Sequence, residues 1–497
     1  MIVTEISKSA SIRSQLSYPV IDADGHMLEF EPAFLGYLEQ VGGKRMVDQY
    51  NALCERNRKI GFNWYEMSGR ERRDAAAVRP SWWALPAKNT LDRATATLPR
   101  LLYERLDEMG IDFTTLYPTI GRFMVHLENE ELRRACCRAH NIFVADIYRE
   151  YADRITPVAI IPMHTPQEAV EEVEFIVKEL GLKAILIAGY VVRPTRQEGA
   201  KNATWLDTYG LDSEHDYDPF WAKCVELKVA PTAHSSGRGW ESRRSISNFC
   251  YNHIGHFAAA QEALCKSLFM GGVTRRFPTL KFAFLEGGVG WACSLYADLI
   301  GHWKKRNPEG MQNYNPANLD RKLLVDLYSR YGGELVAGRL EQAGRWGLGM
   351  DWQDHPANAA ALDEWAACRI EQAEDIRGLF EPNFYFGCEA DDPINAWAFN
   401  RKVNPFGARL KTVLGSDIGH WDVTDMSEVL EEAYELVEEE LITEEDFRDF
   451  VFTNPASLHA GMNPNFFKGT VVESQVQQVA AEGLTEISST RTLRDDA

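Results

Sequence analysis

Apolar residues in this chain gather in short, β-branched runs separated by stretches with helical periodicity. Eight runs read as strands: Tyr18–Asp24, Asp112–Pro118, Ile155–Pro162, Lys183–Ala188, Val229–His234, Leu280–Glu286, Asn383–Glu389 and Leu410–Asp417. They are apolar at successive positions, the pattern of strands buried on both faces, as in a parallel sheet. Between them Glu130–Tyr151, Pro166–Leu180, Asp218–Lys228, Ala258–Arg275 and Trp291–Lys305 place apolar residues on one helical face. Eight such βα units predict a distorted (β/α)8 TIM barrel rather than an open doubly wound sheet.

Two intervals are too long for simple connections, Glu31–Met109 and Asn307–Pro382, and are expected to be insertions packed over the barrel. The first holds the Trp-rich Pro80–Trp83 and the second runs through Trp346 and Trp352. The expected organisation is an extension over 1–17, the barrel over 18–470, and a polar tail over 471–497 that frays or reaches a partner subunit.

Composition narrows the partners. Over 497 residues, 73 acidic side chains outnumber 53 lysines and arginines, a formal charge of −20. Such a surface repels polyanions, which excludes nucleic acid and anionic membranes and leaves a small-molecule substrate. Met1–Tyr18 lacks the apolar core of a secretory signal, and no apolar run reaches membrane-spanning length. The 9 cysteines are scattered with no CxxC pair, the usage of reduced thiols in a cytoplasmic protein.

The candidate chemistry sits at strand ends. Asp22, Asp24, His26, His234, Glu286, Glu389 and Asp417 all fall at or just past the C-terminal ends of apolar runs. In a (β/α)8 barrel that is the end where active sites are built. Asp24 and His26 are two apart, so on a strand they point the same way and can share one cation, with Gly25 letting the backbone bend. His253 and His256, three apart, share a helix face. With Glu29, at a His-x-x-Glu spacing from His26, they are candidates for a second cation or for orienting the first ligands. His420 lies one turn beyond Asp417, placed to touch substrate. Arg122 and Arg238 offer planar forks for a substrate carboxylate, against the plainer reading of surface arginines. The remaining histidines, His126, His140, His164, His215, His302, His355 and His459, read as structural or surface. There is no GxGxxG, GxxxxGK[ST] or GxSxG motif, which argues against dinucleotide, P-loop and serine-hydrolase chemistry.

Ile21–Glu29, His234–Gly237, Phe277–Trp291, Leu414–Asp417 and Asn463–Thr470 together resemble the amidohydrolase superfamily. More narrowly they resemble its branch containing aminocarboxymuconate-semialdehyde decarboxylase and related aromatic-acid decarboxylases. The resemblance runs from Tyr18 to Thr470. It implies a divalent metal (Zn, Mn or Fe, one or two ions) held by Asp24, His26, His234 and Asp417. The first-strand pair, commonly His-x-His, begins here with a carboxylate. The histidine that follows strand six in the decarboxylase is here Glu286. That substitution tilts the expectation to a hydrolase using metal-activated water on a small carboxylate-bearing substrate. Asp417 would then bind the metal and take the water's proton, with Glu286 and His420 as further catalytic candidates. Alternatives are a metal-dependent non-oxidative decarboxylase, a dinuclear oxidative enzyme, or a metal-binding partner subunit of a related catalytic chain. A homo-oligomer or a complex with such a subunit is expected.

Overall fold

The computed structural model describes residues 6–81, 87–196, 203–342 and 363–481. All eight expected strands form, as β1 (Ile21–Met27), β2 (Phe113–Pro118), β3 (Ile155–Ile161), β4 (Ala184–Ile187), β7 (Pro231–Ala233), β8 (Phe282–Phe284), β9 (Phe384–Glu389) and β10 (Lys411–Gly415). They make one sheet in the order β1-β2-β3-β4-β7-β8-β9-β10, with every pair parallel. Two strands the pattern did not announce, β5 (Val191–Pro194) and β6 (Thr204–Asp207), form a separate antiparallel hairpin after β4. They are short, and one face is exposed, so neither leaves a buried apolar run.

The sheet closes between β10 and β1 just past the end of β10. Asp417 N–H donates to the Asp24 carbonyl at 3.0 Å, and His26 N–H donates to the Ile418 carbonyl at 2.7 Å. The Asp22 carboxylate completes this seam by accepting from Ser416 N–H at 3.0 Å, Asp24 N–H at 3.2 Å and the Thr114 hydroxyl at 2.6 Å. Asp22 is thus bonded to β1, β2 and β10 together, a fastening of the barrel rather than a group facing the mouth. Gly25 sits where the β1–β2 register shifts. A Cβ there would lie 2.6 Å from Asp22 Oδ2 and 2.7 Å from Thr114 Oγ1, so only glycine lets the fastening and the next turn of strand coexist.

Helices Glu130–Tyr148, Pro166–Lys178, Asp218–Leu227, His256–Met270 and Gly290–Arg306 surround the strands. Pro166–Lys178 shows why they start where they do: Thr165 and Glu168 form a reciprocal capping box and Pro166 occupies the first turn. In the first insertion, helix Glu31–Glu66 kinks at Gly43, where φ is 70°. It buries Phe34, Leu38, Met46 and Tyr50 in the main core. In the second, helix Arg321–Tyr331 buries none of its side chains, while Trp365, Ile376 and Phe380 return to the core. Trp82, Trp83 and the 346–352 stretch lie outside the described residues, as does His355. The start of the polar tail is not frayed: Val472 and Val476 are buried, and Val471 N–H donates to the Asp153 carbonyl at 3.1 Å. No helix among the described residues is long and apolar enough to cross a membrane.

Candidate active site

Strand ends deliver the expected side chains to one place. Asp24 and His26 project from β1, His234 follows β7, Glu286 follows β8, and Asp417 follows β10. Each is at most 7 % exposed. His26 Nε2 lies 3.7 Å from Asp24 Oδ1 and 3.3 Å from Asp417 Oδ1, and His234 Nε2 lies 3.9 Å from Asp24 Oδ2. Potential ligand atoms of Asp24, His26 and His234 all fall within 4.8 Å of one another, as do those of Glu286, Asp417, His420 and Asp422. The His26–Asp417 contact joins the two groups. Glu286 and Asp417 take left-handed backbone, with φ of 55° and 51°. For residues other than glycine this conformation costs on the order of 1–3 kcal/mol and persists where the surroundings over-determine it.

The chemistry of the donor set suits a dication. Both oxygens of Asp24 and Glu286, both ring nitrogens of His26, His234 Nε2 and Asp417 Oδ1 are buried without a hydrogen-bond partner. His234 Nε2 and Glu286 Oε2 are 2.7 Å apart, yet neither atom finds hydrogen-bond geometry. Buried polar atoms are ordinarily satisfied, so a cluster of orphaned lone pairs is the signature of groups shaped around a cation. Burial holds His234 below the usual histidine range and His26 well below it, leaving His26 the neutral imidazole that binds metal. Burial, and then the charge of Glu286, pushes the carboxyls of Asp24 and Asp417 well above theirs. Burial acts to raise Glu286 as well, but His234 and His420 outweigh it and keep that carboxylate ionised. A dication would offset the mutual repulsion of these carboxylates.

Next to this cluster, with His420 belonging to both, lies a cavity of about 190 Å³ whose walls include Arg122, Phe123, Arg238, Phe249, Phe257, His420 and Trp421. His420 Nδ1 lies 2.5 Å from Asp422 Oδ1, an arrangement that orients the ring and leaves Nε2 for the site. Arg122 Nη1 lies 3.4 Å from His234 Nδ1, and the Phe257 ring packs edge-on against His234 with centroids 4.9 Å apart. The arginines expected as possible carboxylate forks therefore both reach this cavity.

His253 and His256 also line it, but neither belongs to a group of potential metal ligands. His256 Nδ1 is 2.8 Å from Ser236 Oγ, and its ring is 4.5 Å from that of His253. Glu29 is drawn away altogether. Its carboxylate accepts from Ile120 N–H at 2.9 Å and Gly121 N–H at 2.6 Å, and His140 Nε2 lies 3.4 Å from it. The helix start at 121 thus occupies the carboxylate expected beside a cation, and the second ligand-like group is built from Glu286, Asp417, His420 and Asp422 instead. Asp422 was missed by sequence reasoning. Its one signal was the two-residue spacing from His420, which is common by chance. His140, read as structural or surface, is fully buried, with Nε2 3.4 Å from the Glu29 carboxylate.

A family model described as Amidohydrolase matches residues 21–312. Among solved structures, an amidohydrolase from Mycobacterium avium subsp. paratuberculosis is 16% identical, with a TM-score of 0.52 over 89% of this chain and 98% of that one. A dihydroxybenzoic acid decarboxylase from Polaromonas sp., solved with manganese and 2-nitroresorcinol, is 13% identical with a TM-score of 0.46, covering 89% and 97%. A 5-carboxyvanillate decarboxylase from Novosphingobium aromaticivorans, also with manganese, is 14% identical with a TM-score of 0.47, covering 90% and 98%. At 16% identity and a TM-score of 0.52, the first of these likenesses speaks to the fold alone.

Proposed function

We propose, from the premise that the chain belongs to the amidohydrolase family, that it is a metal-dependent carboxy-lyase for a small planar carboxylic acid. One divalent cation would be held by Asp24, His26, His234 and Asp417. The observation that carries this reading is the cavity itself: an aromatic-walled hollow with two arginines and no carboxylate among its described walls, one of those arginines, Arg122, standing 3.4 Å from His234 of the donor cluster. A flat organic anion is what such walls accommodate, since the rings stack on its π-face and guanidinium forks pair with its oxygens. When bound, the dication supplies electrostatic stabilisation of charge developing on substrate oxygens.

The chain's own residues do the rest. Arg122 and Arg238 bind and orient the anion, and Phe249, Phe257 and Trp421 exclude water around it. The C–C bond to the carboxylate breaks, CO2 leaves, and the electron pair stays on the substrate carbon. His420, oriented by Asp422, places a proton on that carbon and regains one from solvent. Metal-assisted hydrolysis is the second reading, favoured by the unpaired Asp417 Oδ1, which could accept a proton from water.

A panel of hydroxylated and methoxylated benzoates, conjugated aliphatic acids and their amides separates the two. In deuterated water, CO2 release with deuterium on the vacated carbon supports the carboxy-lyase. Incorporation of solvent 18O into a product carboxylate without CO2 supports the hydrolase. Loss of turnover on chelation, with recovery on adding Mn, Zn or Fe, checks the metal requirement in either case.

A further inference from the structure

Two hollows border the buried cluster. The aromatic cavity has His420 in its wall, and a second cleft of about 240 Å³ has Glu286 in its wall. The two share His253, His256 and Phe257 as a partition. Their electrostatics are opposite. Among the described residues, the aromatic cavity contributes Arg122 and Arg238 and no acid, whereas the second cleft contributes Glu286, Glu389 and Asp392 and no lysine or arginine.

The second cleft is more than a group of acids. Glu286 is buried, with Oε1 unpartnered and Oε2 2.7 Å from His234 Nε2, and His256, 4 % exposed, has an unpartnered buried Nε2. The glycines between keep it clear. Gly288 has φ of 65°, and a Cβ there would stand 2.8 Å from Asp392 Oδ2. A side chain at 288 would press on the carboxylate at the mouth.

We infer that this acid-lined cleft is the port by which the divalent cation reaches its site, while the anionic substrate uses the arginine-bearing cavity. The inference rests on the metal-dependent reading above. Coulomb's law favours it: a dication in the aromatic cavity must pass two lining guanidiniums, while the cleft is lined by carboxylates and imidazoles, its nearby Arg243 being bonded to the Ile254 carbonyl at 2.9 Å and not among the lining residues. Glu389 and Asp392 act on passage rather than as final ligands, for neither belongs to a ligand-like group in the structure. A residue that lowers a barrier without holding the ion at its end changes entry and exit rates by the same factor.

Stopped-flow mixing of stripped full-length protein with Co2+, read by its visible absorption, tests this. In Glu389→Gln/Asp392→Asn the association rate should fall about tenfold or more, with the dissociation rate falling alongside and the Kd moving less than threefold. Gly288→Ala should slow both rates too. Arg238→Ala should leave association unchanged. The port is overturned if association in the double variant matches wild type, if Kd weakens as much as association slows, or if Arg238→Ala speeds loading. Absence of any Co2+ signal in wild type would instead overturn the metal-dependent reading itself, so the two failures are distinguishable.

Discussion

Glu286 and Asp417, which follow β8 and β10, share the same backbone anomaly: both stand in left-handed conformation at φ near 50°, and both bring unpaired carboxylate oxygens into one buried cluster. Neither the strain nor the unpaired oxygen stabilises the fold, so both residues are held there at a cost.

The first prediction concerns that cost. Glu286→Gly relieves the left-handed strain and removes a carboxylate crowded against those of Asp24 and Asp417, against the loss of its 2.7 Å contact with His234 and the extra unfolded-state entropy of glycine. The metal-free variant should be more stable than metal-free wild type by about 1 kcal/mol or more in urea unfolding, while turnover is lost. A variant less stable than wild type would mean that Glu286 supports the fold.

Asp22 makes the opposite case. Its three accepted hydrogen bonds tie β10 to β1 one residue before Asp417. Asp22→Ala leaves Ser416 N–H and the Thr114 hydroxyl without that partner and should destabilise by roughly 2–4 kcal/mol. Metal affinity should weaken with it, since the seam positions Asp24 and Asp417. Circular dichroism melts and equilibrium dialysis measure both, and an unchanged melting temperature would remove Asp22 from the closure.

Glu29 acts at a distance from the donors. By accepting from Ile120 and Gly121 N–H it fixes the turn that carries Arg122 into the cavity wall. Glu29→Gln should raise KM several-fold, with a smaller effect on kcat and no change in bound metal. Loss of metal from this variant would return Glu29 to the ligand set.

Acid stability follows from histidines outside the site. Burial pushes His459 down to about 3, and burial followed by Arg122 pushes His126 down to about 4. The unfolded chain therefore binds more protons than the native one below the ordinary histidine pKa near 6.5. The stability these neutral rings contribute is complete above about pH 6.5 and drains away as pH falls toward 3–4, by up to about 1.4 kcal/mol per pH unit for each. His459 stacks on Phe466 with centroids 4.2 Å apart. His459→Phe keeps an aromatic ring there, and a stability profile between pH 6.5 and 4 as steep as that of wild type would show that His459 does not titrate in this way.

Much of this arrangement was legible in the sequence, and the limits have physical reasons. Doubly buried strands leave continuous apolar runs, so all eight barrel strands were visible. Strand ends are fixed in space by the closed sheet, so Asp24, His26, His234, Glu286 and Asp417 could be grouped from sequence alone. Asp22 was grouped with them because a strand-end aspartate looks the same whether it faces the mouth or the seam. The two-residue alternation that aligned Asp24 with His26 cannot reveal that Asp22 bonds Ser416 across the closure. Glu29 was misplaced because its partners are backbone N–H groups 91 and 92 residues away, which no residue type signals. The pairing of His420 with Asp422 depends on how the loop after β10 turns, and the hairpin of β5 and β6 on long-range pairing of short, half-exposed segments.

In the proposed site Asp24, His26, His234 and Asp417 hold one cation between them. Inductively coupled plasma mass spectrometry after equilibrium dialysis against Mn2+ or Zn2+ measures it directly, on wild type, Asp24→Ala and His234→Ala. One ion per chain is expected in wild type, with ion and turnover lost together in both variants. A wild type that retains none, or variants that keep a full equivalent, would contradict it, as would a second tightly held ion that disappears with His420→Ala.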